Sequence, residues 1–254
     1  MESFVNYKNM KPALKIYQSP DYVAEALVEE FGRFVREKSA THSRINIALS
    51  GGNGPIPFFK HLASYNQIHP YPVNWEKIHF FWVDERCVPA DDKDSNFGMT
   101  RKCLLKPLHL PETNIHRIRG EADPAEEAKR YAGELESGLP LQNGYPAFDW
   151  IFLGMGEDGH TASIFPDQMN LLYAKESCAV AIHPQTGQKR ITLTGNVLLN
   201  ASRVTFLVTG ETKKQRIYEI IHEMPDARLY PANFIKPIRG VCDWYLDKQA
   251  AQLL

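Results

Sequence analysis

A histidine inside a glycine-rich segment is the strongest chemical signal in the sequence. His160 closes the run 153–160, Leu-Gly-Met-Gly-Glu-Asp-Gly-His, which follows a short apolar stretch. A neutral imidazole accepts a proton from water near neutral pH, and a carboxylate such as Asp158 or Asp84 can fix its tautomer or stabilise the imidazolium. The segment predicts a general base at His160; the alternative is a histidine with a purely structural role.

A charged triplet follows another apolar run. Asp84, Glu85 and Arg86 come directly after Phe80–Val83, at a strand end of the kind where α/β proteins bind ligands. Arg86 can hold a phosphate through paired N–H groups, and Asp84 can position a water, a sugar hydroxyl or a histidine. A solvated loop with a local ion pair is the alternative. The acidic run 91–96 that follows is predicted to be a solvated loop.

A third signal is a loop with three glycines between a strand and a helix. Gly51, Gly52 and Gly54 follow Ser50, and a helix is predicted to begin near Pro55. Without Cβ atoms the backbone can approach an anion closely, and the amides at a helix start favour negative charge. A phosphate loop and an ordinary tight turn both have this composition. Walker spacing and its lysine are absent, which argues against a nucleoside triphosphate.

The glycines of the histidine segment also match the spacing of a dinucleotide fingerprint. Gly154, Gly156 and Gly159 follow a predicted strand, as in GxGxxG. However, Pro166 would end a following helix within about two turns. Glu176 precedes its candidate strand instead of ending it, so the acidic residue expected about 20 residues on is missing. The sequence therefore predicts no dinucleotide site.

Strand-like apolar runs alternate with segments of helical periodicity. This order is typical of an α/β fold, a mainly parallel sheet covered by helices on both faces. A helix is predicted to start at Ser19-Pro20-Asp21, and another to span Pro124–Glu136. Leu139–Pro146 is predicted to be a surface loop, and Tyr7–Lys11 and Gln249–Leu254 to fray. The first helix presents one apolar face, formed by Val23, Leu27, Phe31, Phe34 and Val35. Buried strands are predicted at Ile45–Leu49, Ile78–Val83, Trp150–Leu153, Ala179–Ile182, Ile191–Thr194 and Val204–Val208.

Bulk properties narrow the class of protein. The 254 residues are 43% hydrophobic, which suits one core and a single domain over residues 1–254. A net charge of -1 without a basic patch argues against nucleic acid or membrane partners. No long apolar run or signal peptide is visible, and the four cysteines form no CxxC motif, so a reducing cytoplasm is predicted. One histidine with separated carboxylates falls short of a zinc site, and neither metal nor organic cofactor is expected.

Five ordered blocks resemble the 6-phosphogluconolactonases, within the wider group that includes glucosamine-6-phosphate deaminases and related isomerases. The resemblance spans nearly the whole chain. It implies a Rossmann-like sugar-phosphate isomerase fold and hydrolysis of 6-phospho-D-glucono-1,5-lactone to 6-phospho-D-gluconate in the oxidative pentose phosphate pathway. The matching blocks are residues 50–52, 82–86, 154–166, 190–194 and 209–213.

The resemblance also implies roles for particular residues. His160 would be the general base and Asp84 a supporting acid. Asn53-Gly54 stands where the family usually has a Ser/Thr pair, and the altered stretch 194–200 leaves the role of Arg190 open. Substrate-binding residues would be Ser50, Gly51, Gly52, Asn53, Arg86, Asp158, Gly159 and Lys213.

Two details of the chemistry stay open at this point. The oxyanion donor could be the backbone near Gly156–Gly159 or the guanidinium of Arg86. Cys87 lies beside the charged triplet, but an activated ester needs no covalent thiol catalysis.

Three alternatives compete with this interpretation. A deaminase of the same group would carry a glutamate in an Asn-Glu-Pro context after its histidine loop, whereas this chain has Ser163-Ile164-Phe165-Pro166. A transcriptional sugar-phosphate sensor would need an additional helix-turn-helix module and a basic face. An inactive scaffold would have no reason to keep His160 and Asp84 together with Arg86 and Lys213.

Overall fold

The computed structural model describes residues 12–254, so the predicted fraying of Tyr7–Lys11 lies outside it. The described chain contains twelve strands, each of two to seven residues. They are β1 Ala13–Tyr17, β2 Ile45–Leu49, β3 Ile78–Trp82, β4 Asp84–Arg86, β5 Ile115–His116, β6 Leu141–Gln142, β7 Tyr145–Pro146, β8 Trp150–Leu153, β9 Cys178–Ile182, β10 Lys189–Leu193, β11 Arg203–Val208 and β12 Val241–Asp247.

A seven-stranded sheet forms the centre, in the order β1-β12-β11-β8-β2-β3-β5. Every neighbouring pair in this sheet is parallel. Strands β2 and β8 are buried along their whole length, as expected for central strands that are covered on both faces. The predicted α/β class with a mainly parallel sheet is confirmed, and the predicted bounds of β2 and β8 are correct.

The charged triplet belongs to a separate sheet. Strand β4 pairs antiparallel with β10, and β10 pairs antiparallel with β9. The sequence predicts β9 and β10 as strands, but it does not show that they form a second, antiparallel sheet with β4. The alternative of a solvated loop at 84–86 is wrong, since Asp84 and Glu85 are buried in a strand.

Helices fill the connections between the strands. They are α1 Pro20–Ser39, α2 Ile56–Ala63, α3 Tyr65–Ile68, α4 Asn96–Thr100, α5 Lys106–Leu108, α6 Pro124–Gly138, α7 Gly195–Leu198, α8 Lys214–Ile221 and α9 Pro231–Phe234. Helix α1 starts with Pro20 in its first turn, where a missing amide hydrogen costs no bond. Val23, Leu27, Phe31 and Val35 are buried as predicted, and Phe34 packs edge-on against Trp150.

Two segments that were predicted to be a surface loop or a frayed end have defined structure instead. Strands β6 and β7 form a hairpin inside 139–146, and its turn residues Asn143 and Gly144 have φ values of 52° and 82°. Positive φ at both central positions suits a two-residue hairpin. The fraying expected at 249–254 is wrong, because Ala250 is fully buried and its amide donates to the Asp247 carboxylate. Among the described residues, no helix has both the length and the apolar character needed to cross a membrane.

Candidate active site

A cavity of about 520 Å³ opens where the carboxyl ends of β2, β8 and β11 lie next to β4. Loops that follow parallel strands meet at one edge of the sheet, which is where ligands bind in such folds. Most of the residues singled out from the sequence line this cavity. They are Ser50, Gly51, Gly52, Asn53, Asp84, Arg86, Gly154, Gly156, His160, Arg190 and Lys213.

His160 is held by the carboxylate two residues before it. The distance from His160 Nδ1 to Asp158 Oδ1 is 2.6 Å, and the His160 amide also donates to Asp158 Oδ1, at 3.1 Å. A carboxylate only accepts hydrogen bonds, so Nδ1 carries the hydrogen and Nε2 is left as the acceptor. Burial opposes ionisation of Asp158, but its bonds with His160 prevail and the pKa of this carboxyl lies below its usual value.

Close packing fixes the loop that carries His160. A Cβ at Gly156 would lie 2.1 Å from His160 Nδ1, so the imidazole rests directly on the Gly156 backbone. Gly159 has a φ of +82°, and a Cβ there would lie 2.6 Å from the side chain of Tyr230. Ala162 also has a positive φ, 49°, which costs a non-glycine residue energy and commonly marks functional loops. The geometry of this loop is therefore fixed before any ligand arrives.

Asp84 contacts neutral donors and not the histidine. Its Oδ2 accepts a hydrogen bond from the Ser163 hydroxyl at 2.6 Å, and its Oδ1 accepts one from the Asn96 amide at 3.2 Å. The sequence left two carboxylates as possible partners of His160, and the observed partner is Asp158. Asp84 still lines the cavity.

Two arginines face each other across the small sheet. Arg86 on β4 lies directly opposite Arg190 on β10. Arg86 donates from Nη1 to the Asp94 carbonyl at 2.5 Å, while the Nε of each arginine is buried with no hydrogen-bond partner in residues 12–254. Burial lowers the pKa of the Arg190 guanidinium. Like charges on opposite strands are unfavourable by themselves, so this pair suits an anion placed between them.

The loop after β2 offers unused amides. Within the described part of the chain, the N–H groups of Gly51, Gly52 and Asn53 donate to no protein atom. Gly52 adopts a φ of +81°, which turns the loop away from the strand. The Ser50 hydroxyl, in contrast, donates to the Phe152 carbonyl at 2.9 Å, so its hydrogen is not free for a ligand. An anion bound here would therefore meet the backbone amides of the loop that leads into α2.

The amides of Gly156 and Gly159 in the histidine loop are already paired. The Gly156 amide donates to the His160 carbonyl at 2.9 Å, and the Gly159 amide donates to the Gly156 carbonyl at 3.1 Å. Neither of these two amides is therefore free to bind an oxyanion.

Some parts of the site were not visible in the sequence. The run 91–96 is only partly solvated, because Ser95 and Asn96 are buried and reach Glu85 and Asp84. Ser163 and Tyr230 gave no signal, since a serine and a tyrosine at loop positions have many structural uses. Cys87 does not line the cavity, and burial raises the pKa of its thiol to about 11, which disfavours the thiolate. No three His, Cys, Asp or Glu residues within 12–254 lie close enough together to hold a metal ion.

Comparison with known proteins gives one consistent family. Residues 18–244 match the family described as glucosamine-6-phosphate isomerases/6-phosphogluconolactonase. A 6-phosphogluconolactonase from Haemophilus influenzae is 43% identical over 241 residues, which are 94% of this chain and 98% of the relative. One from Treponema pallidum is 39% identical and covers 89% of this chain and 91% of its own.

Solved structures agree with the sequence comparison. A crystal structure named devB protein superposes with a TM-score of 0.86 at 40% identity, covering 94% of this chain and 98% of the other. A 6-phosphogluconolactonase from Trypanosoma brucei superposes with a TM-score of 0.82 at 29% identity, covering 97% of this chain and 100% of the other.

Proposed function

We propose that this chain, which belongs to the glucosamine-6-phosphate isomerase/6-phosphogluconolactonase family, hydrolyses 6-phospho-D-glucono-1,5-lactone to 6-phospho-D-gluconate in the oxidative pentose phosphate pathway. One observation carries the proposal. His160, which is held by Asp158, lines a cavity that is also lined by Arg86, Arg190 and Lys213. A proton acceptor beside three cations suits a substrate that joins a reactive ester to a phosphate.

His160 acts as the general base in this scheme. Its Nε2 takes a proton from water while the water oxygen attacks the lactone carbonyl carbon. The bond from that carbon to the ring oxygen then breaks, and the ring oxygen receives the proton from the His160 imidazolium. The carboxylic acid that forms ionises at neutral pH. The Asp158 carboxylate stabilises the imidazolium between these two steps. Positioned proton transfer of this kind is worth about 10²–10⁴-fold in rate.

The cations divide into two tasks. The free amides of Gly51–Asn53, together with Arg86 and Lys213, anchor the phosphate, and Asn53 supplies an amide where the family usually has a hydroxyl. Arg190 adds a second guanidinium beside Arg86. The Arg86 guanidinium and the remaining amides of the histidine loop are the candidate donors for charge that develops on the carbonyl oxygen. Asp84, which also lines the cavity, supports the substrate.

The proposed setting is a cytoplasmic enzyme with a small-molecule substrate and with neither nucleic acid nor membrane partners. The four cysteines within residues 12–254 are free thiols, which fits a reducing compartment. The chain needs no metal or organic cofactor for the scheme above, because a lactone is already an activated ester.

The direct test is lactone hydrolysis above the spontaneous rate, with ammonia release from glucosamine-6-phosphate measured in the same sample. Lactone hydrolysis without ammonia release is expected; the reverse result would indicate the deaminase instead.

His160→Asn keeps polarity and approximate size but removes the proton acceptor, so kcat should fall by about 10²-fold or more with KM little changed. His42→Asn is the matched control, since His42 is exposed and outside the cavity. Near-normal turnover in His160→Asn would contradict the assignment of His160 as the general base.

A further inference from the structure

Asn96 lies where the charged strand and the anion loop come together. Its side chain is almost fully buried, yet the residue lines the cavity. The side-chain Nδ2 donates to the Asp84 carbonyl at 2.9 Å and to Asp84 Oδ1 at 3.2 Å. Asn96 is therefore one of two side chains, with Ser163, that hold the Asp84 carboxylate in place.

Glu85 fixes the backbone that presents Asn96. Its carboxylate accepts hydrogen bonds from the amides of Arg86, Asn96 and Phe97 and from the Ser95 hydroxyl. Ser95 in turn caps α4 by accepting from the Gly98 amide. Burial raises the pKa of Glu85, whereas its amide donors favour the ionised form. This network leaves Asn96 little freedom to move away from Asp84.

The orientation of the Asn96 amide follows from its partners. Asp84 offers only acceptors, a carbonyl and a carboxylate, so Nδ2 must face it. The Oδ1 atom must then point the other way, where it is buried with no hydrogen-bond partner in residues 12–254. It packs against Gly51 so closely that a Cβ on that glycine would lie 1.8 Å from Oδ1 and 2.0 Å from Cγ.

We propose that Asn96 is a positioning residue that couples the anion loop at Gly51 to the Asp84 carboxylate. One end of its amide orients Asp84, and the other end sets how close the Gly51 backbone lies to the cavity. The amide group of Asn96 therefore contacts Asp84 with one end and Gly51 with the other. The inference rests on the proposed function, in which phosphate binds this loop and Asp84 supports the substrate.

A double-mutant cycle tests the contact with the loop without using turnover. Affinity for inorganic phosphate is measured by calorimetry in the parent, Gly51→Ala, Asn96→Gly and the double variant. Gly51→Ala drives a Cβ into Asn96 and should weaken phosphate binding by at least about tenfold. Asn96→Gly removes the three nearest atoms that this Cβ would meet. The double variant should therefore bind within about threefold of Asn96→Gly alone. Additive losses would overturn the coupling, and thermal melting shows that each protein is folded.

The contact with Asp84 has its own readout, the pH dependence of kcat in Asn96→Asp. When protonated, the new carboxyl donates a hydrogen bond to Asp84 as the amide does; when ionised, it repels Asp84. The charged groups that act on this pair are Glu85, which accepts from the Asn96 amide, and Arg190, whose guanidinium is attracted to Asp84; they are the same in both proteins. Relative to the parent, kcat should fall by at least about tenfold between about pH 6 and about pH 8.5.

Asn114→Asp is the matched control for the pH experiment. Asn114 is also buried, and its Nδ2 donates to the carbonyls of Glu76 and Ile78, away from the cavity. Its pH profile should keep the parental shape. Parallel profiles for Asn96→Asp and the parent would overturn the role of Asn96 at Asp84. A parent that shows no lactone hydrolysis would instead refute the proposed function, while the phosphate cycle would still decide the coupling.

Discussion

Gly159→Ala separates two demands that the histidine loop makes on one residue. Gly159 has a φ of +82°, and a Cβ at this position would lie 2.6 Å from Tyr230 Cβ. The first demand is backbone conformation and the second is space. Gly187 supplies the control, because its φ is +69° and nothing lies within 4 Å of its Cβ position. Gly187→Ala therefore meets the backbone demand alone.

The expected magnitudes follow from these two terms. A left-handed conformation costs an alanine about 1–2 kcal/mol, and this is the whole expected loss for Gly187→Ala. Overpacking adds about 1–3 kcal/mol, so Gly159→Ala should lose about 2–5 kcal/mol in total. Most domains are stable by about 5–15 kcal/mol, so both variants should remain folded at 25 °C.

Urea unfolding measures the free energy of unfolding of both variants, and lactone hydrolysis measures their kcat/KM. His160 follows Gly159 directly, and a displacement of about 1 Å in a catalytic group can cost about 10²-fold in rate. We expect a loss of that order for Gly159→Ala and a change below about twofold for Gly187→Ala. Equal destabilisation of the two variants, or unchanged kcat/KM in Gly159→Ala, would refute the packing argument.

Three further predictions concern phosphate binding, metal dependence and the pH dependence of stability. Arg86→Ala and Lys213→Ala should each raise the inhibition constant of inorganic phosphate by about 10- to 150-fold, since a charge-assisted contact is worth about 1.5–3 kcal/mol; unchanged inhibition would place the anion elsewhere. Turnover should survive dialysis against a chelator, and restoration of a lost activity by zinc, magnesium or manganese would contradict the scheme. Burial, with Arg44 and His116 nearby, lowers the pKa of His79 to about 4. The unfolded chain then binds the extra proton more readily, so stability should decline as pH falls from about 6.5 toward 4, and less steeply in His79→Gln. Urea titrations at several pH values measure the free energy of unfolding of both proteins. The same pH dependence in the parent and in His79→Gln would show that His79 does not cause the decline.

The sequence predicts best the strands whose own residues are mostly apolar. Strands β2 and β8 are covered on both faces, and their residues are apolar except for Asn46 in β2. Strand β12 was not predicted, because Asp243 and Asp247 interrupt its pattern. Asp243 is nevertheless buried, since Arg203 on the neighbouring strand β11 pairs with it. A pairing between strands 40 residues apart in the chain leaves no local pattern to recognise.

At the site, the sequence likewise predicts the types of the reactive residues but not the contacts between them. The sequence identified His160, Asp84 and Asp158 as reactive groups, because charges and histidines at strand ends are rare enough to notice. It left open which carboxylate holds the histidine, since that depends on how the chain bends at Gly159. The local partner, two residues away, makes the contact.

The placement of Asp84 depends on a single residue between two sheets. Val83 donates from its amide to the Leu49 carbonyl at the end of β2, and its own carbonyl accepts from the Leu193 amide at the end of β10. The chain thus leaves the parallel sheet and enters the antiparallel sheet within one residue. Because of this change, Asp84 starts the small sheet at the cavity, with Asn96 on one side and Ser163 of the histidine loop on the other. An apolar run followed by three charges predicts a strand end, but the second sheet that turns this end into a wall of the site is formed by residues more than 90 positions later in the chain.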